Sequence, residues 1–217
     1  MTGTPYTVSD VMTQTVVAVG RDAPFKEIVL TMEQWKVSAM PVLEGEGRVI
    51  GVVSEADLLP KEEFREGEQP LSQQRQRLAD VAKAGATRAE ELMSTPAVTV
   101  HPDATLAQAA RIMAVRHVKR LPVVDDIGML QGIVSRADLL KVFLRPDDEI
   151  ADEVRRRVVS SLYPTAGHSI DVTVHEGVVT LRGHVRDTAL VPIAVRLVRA
   201  VEGVVDVEPE LTGSGAT

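Results

Sequence analysis

The segment GVVSEADLL, Gly51 to Leu59, returns as GIVSRADLL, Gly132 to Leu140, at a spacing of 81 residues. Holding that spacing toward the N-terminus, Met12 falls on Met93, Val17 on Val98 and Val19 on Val100. Asp22 falls on Asp103, Met32 on Met113, Val37 on Val118, Pro41 on Pro122 and Gly47 on Gly128, with no gap from Val8 to Leu59. The chain therefore carries one unit twice. A copy of roughly fifty residues has too little core to stand alone, so the two must bury their apolar faces against each other.

The same pattern is predicted for both copies. A short apolar strand (Val16 to Val19; Ala97 to Val100) runs into Asp22 or Asp103, each a good helix N-cap because a carboxylate accepts free first-turn N–H groups. The following helix has Phe25, Ile28, Val29, Met32 and Trp35 on one face in the first copy, and Leu106, Ala109, Ala110 and Met113 in the second. Two strands joined by a turn at Gly47 or Gly128 follow, then a short helix opened by Ser54 or Ser135. The unit reads β-α-β-β-α, with a helical lead-in around Met12 or Met93. Two such units pack sheet against sheet about a pseudo-twofold axis.

The paired strings TVSDVMTQTVVAV/RAEELMSTPAVTV, SAMPVL/KRLPVV and GVVSEADLL/GIVSRADLL resemble a tandem CBS-domain pair, over residues 7–60 and 88–146. Residues 1–60 are then the first repeat, 61–87 a connecting insert and 88–146 the second repeat. Within the insert, SQQRQRLADVAKAG predicts a short helix with Ser72 as N-cap, Leu78, Val81 and Ala82 on one face, and Gly85 at its end.

The chemistry of the repeat lies in S-x-x-D. Ser54 and Asp57, like Ser135 and Asp138, sit where a strand gives way to a helix. Free N–H groups there suit phosphate. The Asp carboxylate can accept both hydroxyls of a ribose cis-diol, and small apolar side chains nearby can sandwich a purine. The resemblance implies this arrangement: an adenosine nucleotide (AMP, ADP or ATP) between the repeats, with Asp on ribose and Ser near phosphate. Val16, Met40, Ala97 and Leu121 are candidate neighbours of the base. The same S-x-x-D spacing is also a capping box that needs no ligand. The copies differ where phosphate would lie. The second has Lys119, Arg120 and Arg136, where the first has Ser38, Ala39 and Glu55, and dianionic phosphate favours Arg or Lys. If one site works, that built on Ser135 and Asp138 is the better candidate. Phosphates in such modules point toward the middle, however, so Arg120 could serve a nucleotide held by Asp57.

From Asp147 the pattern changes. DDEIADEVRRRVVSSL predicts an amphipathic helix with Ile150, Val154, Val158 and Leu162 on one face. Ile170, Val172 and Val174, then Val179, Leu181 and Val185, alternate as two strands around a turn at His175-Glu176-Gly177. A second helix would turn Ile193, Leu197, Val198 and Val201 inward, with Pro192 early in it. A last strand in VEGVVDVEPEL completes α-β-β-α-β. The strings IDVTVHEGVVTLRGHV and VRAVEGVVDVEPEL resemble a BON domain over residues 147–212, followed by a tail at 213–217. The fold class expected overall is α+β. In this reading His168 and His184 are neighbours at a strand end, too few ligands for a metal site.

Composition narrows the function. With no Cys among 217 residues, disulfides, thiolate metal sites and a Cys nucleophile are excluded. A net charge of −7 argues against nucleic acid. Twelve acids against seven arginines from residue 147 onward, a net of −5, argue likewise against anionic lipid at the BON domain, although the family is associated with phospholipid surfaces. No segment approaches the ~20 apolar residues of a membrane span, the N-terminus carries no secretion signal, and no catalytic constellation emerges. The expectation is a non-catalytic cytoplasmic regulatory protein. It has no cofactor, its CBS pair senses an adenine nucleotide and forms a homodimer, and its BON domain meets a protein or phospholipid partner. The alternative is a structural or envelope-associated scaffold whose CBS pair only dimerises.

Overall fold

The mostly apolar run AMPVLE gives strand β2 (Ala39–Glu44), and RVIGVVS gives β3 (Arg48–Ser54). The two pair antiparallel across the Gly45–Gly47 turn, where positive φ values of 59° and 121° favour glycine. The computed structural model describes residues 6–64, 78–164 and 170–213. Among these, Thr7–Arg136 form one compact unit, and Tyr6 with the residues from Ala137 form another.

In the first unit, β1 (Val19–Gly20) lies parallel to β2, so the sheet order is β1-β2-β3. Helix α1 (Phe25–Trp35) connects β1 to β2 and buries Ile28 and Met32. The second repeat has the corresponding helix α2 (Leu106–Val115), which buries Leu106, Ala109 and Met113, and the hairpin β4 (Arg120–Val124) and β5 (Leu130–Ser135). Val100 makes a lone parallel bridge to Val123, where β1 of the first repeat places Val19 beside Val42. The buried stripe is narrower than the periodicity predicts. Val29, Trp35 and Ala110 are exposed. The caps also shift. Turns closed by Ala23 N–H to Gly20 O and Ala104 N–H to His101 O separate strand from helix. The N-caps are therefore Pro24 and Thr105, not Asp22 and Asp103. Thr105 and Gln108 bond reciprocally as a capping box, whereas Asp22 pairs with Arg88.

The 81-residue spacing is a symmetry of the unit. Thr13 bridges Ile133 as Val52 bridges Ser94, and Thr7 bridges Thr105 as Pro24 bridges Arg88. Arg48 bridges its own mate, Met129. Lys36 and His117, also mates, both take left-handed conformations after their helices, with φ of 53° and 55°. This is a pseudo-twofold pair of β-α-β-β-α repeats. Its seam is tight. A Cβ on Gly132 would sit 2.5 Å from Met12 Sδ and 3.0 Å from the Thr13 carbonyl oxygen, and its mate Gly51 faces Met93 in the same way. Gly132→Ala is therefore expected to lower unfolding stability by ~1–3 kcal/mol. Denaturant titration checks this; an unchanged midpoint would mean that the seam is looser than the geometry requires.

In the second unit, a helical run starts at α3 (Asp147–Val154), passes through a π-helical turn (Arg155–Val159) and ends at α4 (Ser160–Leu162). Ile150, Val154 and Val158 are buried as predicted, and adjacent Val159 is buried with them at the π turn. Strands β6 (Ile170–His175), β7 (Val178–Val185) and β8 (Asp206–Gly213) form a sheet in that order, β6 antiparallel and β8 parallel to β7. His175 pairs with Val178 across the Glu176-Gly177 turn, as the sequence predicts. Asp147 accepts hydrogen bonds from both turn N–H groups at 2.8 and 2.9 Å, which ties the first helix to the hairpin. Helix α5 (Val191–Arg199) carries Pro192 in its first turn and buries Ala194 and Val198. Val201 is also buried, but Ile193 and Leu197 face outward, contrary to the predicted face. The expected cap Ser72 and the His168 pairing with His184 lie outside the described residues.

Candidate ligand site

Strand β3 ends at Ser54, where the extended backbone turns into a short helix, Glu55–Leu58. That turn brings Asp57 back over Ser54. Asp57 Oδ2 accepts from the Ser54 N–H and from the Ser54 hydroxyl, both at 2.7 Å. Its Oδ1 accepts from the Ser94 hydroxyl at 3.3 Å and pairs with the Lys83 ammonium. Ser94 comes from the second repeat, by the bridge to Val52. Lys83 comes from the insert helix, Leu78–Gly85. Asp57 is only 8% exposed, one of two buried acids among the described residues. Its burial is tolerable because every lone-pair direction has a donor.

Asp57 opens onto a cavity of about 460 Å³. Ser54 and Asp57 share its wall with Lys119, Arg120 and His117 of the second repeat. Ala39, Val52, Pro96, Ala97, Val98 and Val118 supply small apolar surface. The size and the mixture suit a small organic ligand with a few fixed polar points. Arg120 Nη2 donates to the Ser38 hydroxyl at 3.0 Å, so its guanidinium is held at the junction of the repeats. A second, larger groove of about 620 Å³ runs along α1, floored by Phe25, Val29, Met32 and Leu58.

The placement of the candidate residues redistributes the sequence expectation. Ser54, Asp57, Ala97, Lys119 and Arg120 line one cavity. Lys119 and Arg120 of the second repeat thus share a wall with the Asp57 carboxylate of the first. Met40 and Leu121 are fully buried core residues, one position along from Ala39 and Arg120, which line the cavity in their place. Alternation along a strand explains the exchange, since neighbours point to opposite faces. Val16 is half-buried and is not part of this wall. Arg136 donates to the Val118 carbonyl at 3.2 Å. Ser135 ends β5, and Asp138 pairs with Lys141 at 2.7 Å. Sequence reasoning missed Ser38, Ser94, His117 and Lys83. Ser38 is the repeat mate of Lys119 and could have been found by transferring the site across the repeat; the mates of Ser94 and His117, Thr13 and Lys36, carried no such signal, and Lys83 has no mate.

Among the described residues, no group of three or more His, Asp or Glu could hold a metal ion, and no helix is long and apolar enough to cross a membrane.

Comparison with known proteins agrees with this architecture. The uncharacterized protein MJ1426 of Methanocaldococcus jannaschii is 28% identical over 153 residues, 63% of this chain and 90% of that protein. The CBS domain-containing protein YhcV of Bacillus subtilis is 31% identical over 134 residues, 61% of this chain and 81% of its own. CBSX2 of Arabidopsis thaliana, crystallised in complex with AMP, superposes with a TM-score of 0.57 at 28% identity, covering 64% of this chain and 97% of CBSX2. The CBS domain family model matches residues 8–61 and 89–145, and the BON domain model matches 146–214. The chain belongs to the CBS domain family, with a CBS pair followed by a C-terminal BON domain.

Proposed function

We propose that the CBS pair binds an adenine nucleotide, AMP foremost, in the Asp57 cavity, and that the protein is a non-catalytic cytoplasmic regulator. The observation that carries this reading is one cavity holding both a buried carboxylate and a Lys-Arg pair. A carboxylate suits a ribose diol, the cations suit a phosphate, and the small apolar wall suits a purine. The AMP complex of CBSX2 supports the choice of ligand. The BON domain is the interaction domain in this reading. Its acidic balance favours a protein partner over an anionic membrane.

One observation favours the rival reading, a scaffold in which S-x-x-D is only a structural cap: Asp57 already has four donors. Equilibrium dialysis against AMP, ADP, ATP and S-adenosylmethionine separates the two. Saturable AMP binding is expected, with a rise in melting temperature. A ligand at a hundred times its dissociation constant adds ~2.7 kcal/mol to the folded state. Absence of binding by all four would leave the scaffold in front.

A further inference from the structure

The two repeats treat their motif aspartates differently. Asp138 takes its cation from Lys141, three residues on in the same stretch of chain. Asp57 takes its cation from Lys83, on the insert that has no counterpart in the second repeat. The pair is well shielded, with side-chain exposures of 21% for Lys83 and 10% for Asp57.

The four donors on Asp57 fill the roughly four lone-pair sites of a carboxylate. A ribose diol needs two of them. The Ser54 N–H is fixed at the strand–helix junction and cannot leave. The Lys83 ammonium rides on a flexible four-carbon stem and can. The Lys83–Asp57 pair is one tie between the insert helix and the first repeat. The described span of the helix is eight residues, Leu78–Gly85. Leu78 is 67% exposed and Val81 38%, so its apolar side is not its attachment. Lys61 of the insert also donates to the Ala84 carbonyl at 3.0 Å.

We propose that Lys83 is a built-in competitor for the ribose diol: it occupies Asp57 in the ligand-free protein, and nucleotide binding expels it and loosens residues 78–85. This rests on the reading that the Asp57 cavity takes an adenine nucleotide. It makes Lys83 a residue that sets affinity, and the insert helix the segment that reports occupancy. A binding free energy measured on the wild type then includes the cost of breaking the Lys83–Asp57 pair.

The test uses the full-length protein and AMP. Calorimetric titration is expected to show Lys83→Met binding AMP about three- to tenfold more tightly than the wild type, since the variant has no pair to break. Hydrogen exchange of the wild type is expected to speed up at residues 78–85 when AMP is saturating. Equal or weaker binding by Lys83→Met overturns the proposal, weaker binding meaning that Lys83 itself touches the nucleotide. Unchanged or slowed exchange at 78–85 overturns it as well. If the wild type binds no AMP, the nucleotide reading falls first, and the competitor with it.

Discussion

Asp57→Ala is expected to weaken AMP binding by about ten- to a hundredfold, the loss that follows from removing charged hydrogen bonds worth ~1.5–3 kcal/mol. The substitution removes the one buried carboxylate that lines the cavity and leaves its cations in place. Stability should fall too. Ser54 N–H loses its acceptor and Lys83 its partner, and loss of a cap costs ~1 kcal/mol with or without ligand. The two effects are separable, because the cap is lost at zero AMP and the ribose acceptor only when AMP is present. Melting curves of wild type and variant, each with and without AMP, give both. Asp138→Ala is the matched control. The proposed nucleotide sits in the cavity that Asp57 shares with Lys119 and Arg120, so Asp138→Ala should leave AMP affinity nearly unchanged. A ligand-dependent shift that survives Asp57→Ala and vanishes in Asp138→Ala would restore the sequence preference for the Ser135–Asp138 motif. A shift that survives both would mean that neither carboxylate holds ribose.

A single sequence encodes part of this arrangement and not the rest. The duplication at 81 residues was legible, and with it the hairpins, the turns at Gly47 and Gly128, and the pseudo-twofold pairing. Which half of one repeat faces which half of the other was less so. A pseudo-twofold axis sets the end of β3 beside the start of β4, so the cations of one copy share a cavity wall with the carboxylate of the other. Within each copy the sequence shows only that both groups exist. Strand neighbours are exchanged for a related reason. Met40 and Leu121 look like base contacts from hydrophobicity, yet the larger apolar side chains go to the core and leave Ala39 and Arg120 at the cavity. Lys83 was beyond reach, because an insert carries no repeat mate and its contact with Asp57 spans 26 residues of chain. In the BON domain the alternating strands were read correctly, while the inward set of the second helix held at Val198 and Val201 but not at Ile193 and Leu197. Ile193 and Leu197 are as apolar as Val198, and only packing against the sheet selects Ala194, Val198 and Val201.

Glu153→Ala is expected to destabilise the C-terminal unit by ~3–5 kcal/mol, the cost of breaking a buried ion pair from one side. Glu153 is 8% exposed. Its Oε2 accepts from Arg145 Nη2 at 2.9 Å and its Oε1 from Arg157 Nη1 at 2.6 Å. Arg145 is equally enclosed, donates through Nη1 to the Glu202 carbonyl at 2.7 Å, and lies 5.3 Å from the centroid of the Tyr6 ring. Removing the carboxylate would leave that guanidinium buried without a counter-ion. At ~0.05–0.15 kcal/mol per residue a unit of this size holds only ~4–12 kcal/mol, so much of its stability would go. The pair also makes a prediction about pH. Burial pushes the Glu153 carboxyl up, but the hydrogen bonds and charges of Arg157 and Arg145 outweigh it, and the group sits below its usual range. A carboxyl depressed in the folded state contributes stability that is complete above its unfolded value of ~4.3 and is lost as pH falls from there through the folded value. Scanning calorimetry of the full chain, with the C-terminal transition assigned by hydrogen exchange, should show that transition dropping steeply below about pH 4.3. In Glu153→Gln the neutral amide still accepts a hydrogen bond but cannot titrate, so the transition should start lower and fall less steeply with acid. Exposed Asp206, depressed by the Val207 N–H and then Arg199, and exposed Glu210, depressed by Arg182, remain in both proteins and cancel in the comparison. Parallel acid profiles for wild type and Glu153→Gln would show that the buried pair does not govern the acid sensitivity of the BON domain.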